Sequence, residues 1–355
     1  MVNLPFFSKS TESSSLGIDI GTSSLKVVEL SGGKENIVLE NYGEIFLRNF
    51  FGQGPAKGVE GSLVYSSQEI AEAIKHLLSE MGIKSKKAYF SIPDFVSFFT
   101  SFTVPPMKEE EVASAIEFHS KQYIPLPINE VSLDWFLEKN NEKKETKVNL
   151  IAVPNDVIEQ YREISRLAQL EINSLEGEMF ALVRALLRDK KEPVAIIDIG
   201  EQSTMLTVAQ NGLLKTTHSL DIAGNMLVKQ VAKSAQIEYN AAREIVMGYG
   251  IEESNVRKAV LSPFNSLFSE VSRVLDAFEK KEGILIEEVI IAGGFSLLPG
   301  VVDFATEALD KKVIKKSCFE GVKYPEILEP ELTRISNSHA IAFGVALNGI
   351  IKEEK

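Results

Sequence analysis

The chain uses one phrase twice: LGIDIGTSSLKVVELSGG from Leu16 and AIIDIGEQSTMLTVAQNG from Ala195. The copies align without a gap, pairing Asp19 with Asp198, Gly21 with Gly200 and Ser24 with Ser203, about half of the 355-residue chain apart. Each copy reads as an apolar strand, Asp-Ile-Gly, hydroxyl-bearing residues and a second apolar strand, the pattern of a hairpin with a tight turn. Glycine at the turn admits backbone angles that let successive N–H groups converge on a phosphate, and Ser or Thr hydroxyls add donors. An aspartate closing the first strand can hold Mg²⁺ through water, because Mg²⁺ keeps much of its hydration shell. Two such hairpins predict a duplicated fold that closes on a nucleotide from both sides.

Composition narrows the setting. Hydrophobic content of 44% and charged content of 25% suit a globular chain with substantial cores. Acidic residues outnumber basic ones, 50 to 38, for a net charge of −12, which argues against broad nucleic-acid binding. The single cysteine, Cys318, forms no internal disulfide and fits a reducing cytoplasm as an inert thiol. No apolar run approaches the roughly 20 residues of a membrane span. A cytoplasmic location is expected.

Residues 1–15 read as a flexible leader, Ser-rich after Phe6 and Phe7. Ser66-Ser67-Gln68-Glu69 predicts a capping box for a helix with Ile70, Ile74, Leu77, Leu78 and Met81 on its apolar face, ended by Gly82. Residues 85–166 change character and predict an inserted β-β-α-β-β-α subdomain. Its strands are expected over Lys87 to Ile92, Val96 to Val104, Val131 to Glu138 and Lys147 to Val153, with a charged turn at Asn140 to Thr146. Its first helix carries Val112, Ala115, Ile116, His119 and Tyr123 on one face, and the second carries Val157, Tyr161, Ile164 and Ala168. The second half opens at Pro193, and its longest helix is expected from about Pro263 to Gly283. A buried strand, Glu288 to Ala292, then runs into Gly293-Gly294-Phe295-Ser296, where a Gly-Gly turn leaves room for a flat ring against the backbone.

These three loops, in this order, resemble those of the actin, Hsp70 and sugar-kinase superfamily: two phosphate loops and an adenosine loop. The insert between the phosphate loops resembles that of the FtsA cell-division family and the PilM type IV pilus assembly family. Similarity to the PilM family extends over nearly the whole chain, through LGIDIGTSSLKVVEL, IPLPINEVSLDW, LEGEMFALVRAL, AGGFSLLPG and HAIAFGVAL.

The resemblance implies an actin-like α/β ATPase fold of two duplicated domains with an FtsA-type inserted subdomain. By position, 16–84, 167–192 and 338–355 would form subdomain 1A, 85–166 subdomain 1C, 193–235 and 284–337 subdomain 2A, and 236–283 subdomain 2B. Asp19, Gly21, Thr22, Ser23, Ser24 and Lys26 would make the first phosphate loop, and Asp198, Gly200, Gln202 and Ser203 the second, with Asp19 and Asp198 flanking Mg²⁺. Gly293, Gly294, Phe295 and Ser296 would hold the adenosine, Glu244 a ribose hydroxyl, Gly224 would belong to the same nucleotide site, and Glu178 would lie near a hydrolytic water.

The resemblance also implies ATP and Mg²⁺ as cofactors and the cytoplasmic N-terminal tail of the membrane protein PilN as partner, held in a groove beside the insert. Other pilus-platform and motor proteins and self-association are further implied partners, with no nucleic acid and the inner membrane met only peripherally. Exposed strand edges of the insert can accept an extended peptide by β-augmentation.

The sequence departs from the superfamily pattern at three positions. Val246 stands where a lysine is frequent, Met205 where an aspartate is frequent, and Glu201 where a small residue is usual. A carboxylate about 4 Å from a phosphate costs roughly 1 kcal/mol in water and roughly 4 kcal/mol at an effective dielectric of 20. Glu201 is therefore expected to point away, face Mg²⁺ or weaken binding, and hydrolysis to be slow or absent. Two alternatives come from other classes. A small-molecule kinase would need a catalytic base and a sugar-sized pocket, and an FtsA-like protein a linker and amphipathic helix beyond the point where this sequence ends, Lys355.

Overall fold

The computed structural model describes residues 14–51, 65–105, 109–140, 145–188 and 190–353. The expected leader lies outside the described residues apart from Ser14 and Ser15, as do residues 141–144 of the charged turn expected at Asn140 to Thr146, whose ends fall in strands.

The first half opens with an antiparallel run of β1 (Ser15–Ile20), β2 (Ser24–Gly33) and β3 (Asn36–Phe46). After α1 (Leu47–Phe51) and α2 (Ser67–Glu80), β4 (Lys87–Ile92) pairs parallel with β1. The capping box of α2 forms as expected: Glu69 N–H donates to Ser66 Oγ at 3.3 Å, and Ser66 N–H to Glu69 Oε2 at 2.9 Å. Next come β5 (Phe98–Val104), α3 (Glu109–Ser120), β6 (Val131–Asn140) and β7 (Glu145–Pro154), followed by α4 (Asn155–Ala168). Then β8 (Glu171–Gly177) pairs parallel with β4 and leads into α5 (Glu178–Leu186).

The second half repeats the plan with β9 (Val194–Ile199), β10 (Thr204–Gln210) and β11 (Leu213–Leu220). Three helices follow, α6 (Gly224–Ala235), α7 (Tyr239–Tyr249) and α8 (Ser254–Glu282). The chain continues through β12 (Glu288–Ala292), α9 (Val301–Leu309), β13 (Lys312–Ile314), α10 (Glu329–Ile335) and α11 (Ala340–Glu353).

The two five-stranded sheets have the orders β3-β2-β1-β4-β8 and β11-β10-β9-β12-β13, the same arrangement of first to fifth strand in each half. Duplication therefore extends from the hairpins to the whole sheet. Central strands such as β1 and β9 are buried along nearly their whole length, and mostly apolar, because both faces are covered. One face of the first sheet packs Ile18, Leu25 and Phe90 on Ile70 and Ile74 of α2 and Tyr161 and Ile164 of α4. A layer built from α5 and α11 joins the sheets, with Leu182, Ala342 and Phe343 in one buried cluster with Val28 and Ile196. Fully burying each such side chain contributes about 1.5–3 kcal/mol, so this shared layer fixes how the hairpins face one another.

The span 85–166 divides between two bodies. β4 belongs to the first sheet and α4 to the layer over it, while β5, α3, β6 and β7 make a separate three-stranded sheet of order β5-β7-β6 with one covering helix. The apolar run of β4 looks the same whichever sheet takes it, so its pairing with β1 is decided at long range. α8 also differs from expectation, starting at Ser254 because Glu253 caps it, accepting from the N–H groups of Asn255 and Val256 at 2.8 Å. Pro263 is then buried within the helix.

Candidate functional site

The two Asp-Ile-Gly turns close identically. Gly21 N–H donates to Ser24 O at 3.0 Å, and Gly200 N–H donates to Ser203 O at 3.0 Å. Each turn projects its hydroxyl residues into one cavity of about 290 Å³ between the halves. Asp19, Gly21, Thr22, Ser23, Ser24 and Lys26 line it from the first hairpin, and Asp198, Gly200, Gln202 and Ser203 from the second. Glu178, at the start of α5, and Gly293, Gly294 and Phe295, after β12, complete the wall.

Gly293 has φ +87°, and a Cβ there would stand 2.2 Å from Asp198 Oδ1, so only glycine lets this loop lie against the second hairpin. A Cβ on Gly294 would meet nothing within 4 Å, leaving that side of the turn open. Three expected residues lie outside the cavity lining. Ser296 is buried and its Oγ donates to Gly293 O at 2.7 Å, bracing the turn. Gly224 makes room for Phe295, whose ring would be 2.1 Å from a Cβ at 224. Glu244 is exposed on α7, and the α7 side chains that line the cavity are Arg243 and Met247.

The cavity is strongly acidic. Asp19, Glu178 and Asp198 are joined by Asp94, which the sequence reading missed: it follows β4 and Pro93 in a single 3-10 turn, just before the insert. Its only sequence signal is an aspartate two residues beyond an apolar strand, whereas Asp19 and Asp198 are the next-to-last residues of β1 and β9. Asp94 N–H donates to Glu178 Oε2 at 3.4 Å, Ser203 Oγ to Asp94 Oδ1 at 3.4 Å, and Ser91 Oγ to Asp19 Oδ1 at 2.8 Å.

Burial raises the pKa of all four carboxyl groups. Desolvation, with the charges of Asp19 and Asp94, pushes Asp198 up to about 7. Desolvation and the charges of Asp19, Asp94 and Asp198 hold Glu178 well above the usual carboxylate range. A protonated carboxyl at Glu178 cannot take a proton from water. Burial alone would lower the pKa of Lys26, but Glu44, Asp19 and Asp198 outweigh it and keep the ammonium charged. Its Nζ lies 3.6 Å from Glu44.

The residues present fit a Mg²⁺ ion held largely through water. Among the described residues no three acidic, His or Cys side chains gather as direct ligands. Asp94 Oδ2 is nevertheless buried without a partner, and the surrounding carboxyl groups are short of positive charge. An ion that keeps its water shell and takes remaining ligands from phosphate matches that donor set.

Glu201 lines the cavity but is neutralised. Tyr239 OH donates to Glu201 Oε1, and Arg243 Nε lies 3.6 Å from Oε2. The same α7 side chains reach the first half: the Arg243 guanidinium lies 5.2 Å from the Phe46 ring centroid, and Arg48 lies 4.9 Å from that of Tyr239. Val246, where a lysine would be frequent, is buried in the core of the second half, so Arg243 is the α7 cation that reaches the cavity. Met205 is buried and lines the cavity with its thioether chain.

A second cavity, of about 460 Å³, separates β6 from β8. These are outer strands of their sheets, so the groove runs between two free backbone edges. Trp135 on its wall is 38% exposed, and Phe180, two residues after Glu178, meets the rings of Phe99 and Phe136 at 6.1 Å each.

Among known proteins, the chain is similar to the cell division protein FtsA of Neisseria meningitidis serogroup B, 21% identical over 83% of this chain and 82% of that one. Solved structures share the fold. A PilM-PilN type IV pilus biogenesis complex matches with a TM-score of 0.84 and 24% identity, covering 95% of this chain and 98% of the matched chain. MreB 5 of Spiroplasma citri bound to AMPPNP matches with a TM-score of 0.55 and 12% identity, covering 97% and 98%. The profile of one family, described as type IV pilus assembly protein PilM, matches residues 17–350, nearly the whole of this actin-like chain. The chain belongs to that family.

Proposed function

We propose that this protein is an actin-like, ATP-binding scaffold of the type IV pilus assembly platform, cytoplasmic and peripheral to the inner membrane, that holds the cytoplasmic N-terminal tail of PilN. The observation that carries the nucleotide reading is the convergence of two identically closed hairpins on Lys26 and the acidic cluster. Backbone N–H groups of the two turns, the hydroxyls of Thr22, Ser23, Ser24 and Ser203 and the carboxamide N–H of Gln202 bind and orient the phosphates, with Lys26 as their cation. The nucleoside lies over the open side of Gly294, against Phe295. Mg²⁺, when bound, offsets the phosphate charge beside Asp19 and Asp198. Glu178, buried among Asp19, Asp94 and Asp198, holds its proton and is then no general base, which would keep hydrolysis slow.

The groove between β6 and β8 is assigned to the PilN tail. Two free strand edges supply main-chain donors and acceptors for an extended peptide, and the solved PilM-PilN complex shares this fold. No helix among the described residues is long and apolar enough to cross a membrane, so attachment through a membrane-anchored partner suits this chain. A fluorescent peptide of the PilN tail tests the reading. Saturable binding, lost in Trp135→Ala with Phe136→Ala and kept in Asp198→Ala, is expected. Binding unaffected by the paired change places the peptide elsewhere.

A further inference from the structure

Among the described residues, the groove between β6 and β8 contains one side chain, Asn149, with both polar atoms buried and unsatisfied. Glu176 is paired with Arg184, whose Nη2 donates to Oε2 at 2.8 Å, and accepts from Asn348 Nδ2 at 3.0 Å. Asp134 Oδ1 accepts from Trp135 N–H at 2.9 Å, and Ser132 Oγ donates to Asn155 Oδ1 at 2.8 Å. Asn149 differs. It lines the groove from β7, the middle strand of the inserted sheet, is 1% exposed, and neither its Oδ1 nor its Nδ2 meets a hydrogen-bond partner among the described residues. Its cross-strand neighbour on β6 is Phe136.

An unpaired buried amide is destabilising, and native chains pair nearly all such groups. An apolar residue of the same size would pack between Phe136 and Ile151 without that cost. A carboxamide presents one donor and one acceptor side by side, the complement of another amide. We infer that Asn149 is the specificity residue of the groove, pairing through both side-chain atoms with one amide group of the bound peptide. This rests on the assignment of the groove to the PilN tail. The complementary amide is either a main-chain peptide group or an Asn or Gln side chain of the tail; the recognition chemistry is the same.

The test uses the full chain and a synthetic PilN tail peptide. Asn149→Leu is expected to raise the melting temperature of the free protein, since it removes an unpaired amide, while weakening the peptide by about tenfold. Asn149→Ser, smaller and still polar, is expected to weaken it similarly and serves if the leucine variant does not fold. N-methylation of successive peptide bonds, or replacement of each carboxamide side chain by an apolar one, then locates the partner amide. The change that matters should weaken binding to the unaltered protein and have no further effect in Asn149→Leu. Unchanged affinity in both variants, or strictly additive effects for every peptide change, overturns the inference. No binding of the peptide to the unaltered protein overturns the groove assignment, and this inference with it.

Discussion

Arg243 forms an ion pair with Glu201: its Nε lies 3.6 Å from the carboxylate that the second Asp-Ile-Gly turn carries where the superfamily usually has a small residue. The departure at 201 is thus offset by a residue on α7, which also spans the cavity mouth to Phe46. Arg243→Ala is expected to weaken ATP by about tenfold, because it leaves a carboxylate facing the phosphates. Glu201→Gln in that background should restore most of the loss. Calorimetry on the two variants checks this; equal affinity in the wild type and Arg243→Ala contradicts it.

The raised pKa of Asp198 sets a pH dependence. An unfolded aspartate titrates near about 3.9, and the folded one at about 7. Between those values the folded chain holds a proton that the unfolded chain has lost. The stabilisation is therefore full below about pH 4 and is lost as pH rises through about 7. Asp198→Asn is expected to stabilise the nucleotide-free protein at pH 8 by about 4 kcal/mol and to flatten this dependence. Mg-ATP affinity of the wild type should rise over the same window. Thermal unfolding at pH 5 and pH 8 distinguishes these outcomes, and parallel profiles for variant and wild type contradict the assignment.

Neighbouring glycines of the third loop should behave differently. Gly293→Ala forces a side chain into φ +87° and toward Asp198, and is expected to cost about 1–3 kcal/mol of stability. Gly294→Val, on the open side, should leave the melting temperature near that of the wild type and weaken nucleotide binding by about tenfold or more. If both variants bind ATP normally, the nucleoside does not lie on this turn.

The division of 85–166 makes deletion informative. Removing that whole span takes β4 out of the first sheet and α4 off its face, and is expected to yield unfolded protein. Replacing 98–153 with a short Gly-Ser linker keeps both and should leave a folded protein that binds ATP and no longer captures the PilN tail. Circular dichroism and peptide capture check the pair; peptide capture by the shorter deletion contradicts the groove assignment.

Hairpins, glycine turns and helix faces were legible because they are local. Asp19 and Asp198 announced themselves by repetition, and the Ser66 to Glu69 capping box by spacing. Asp94 was hidden because its cluster is assembled from β1, β9, α5 and a single turn, far apart in sequence. Arg243 was equally hidden, since its partner Glu201 meets it only when α7 folds back over the second hairpin. Glu244 drew attention by motif, yet the helix turns its neighbour Arg243 into the cavity. Asn149 gives no signal in sequence at all, because an unpaired amide is defined by what fails to surround it.

Titration of Mg-ATP into the wild type and Lys26→Ala, with folding of each verified by circular dichroism, tests the nucleotide reading most directly. The wild type is expected to bind one equivalent, and Lys26→Ala to bind about tenfold more weakly or worse, since a buried cation facing the phosphates is lost. No binding to the wild type, or equal affinity in folded Lys26→Ala, would contradict it.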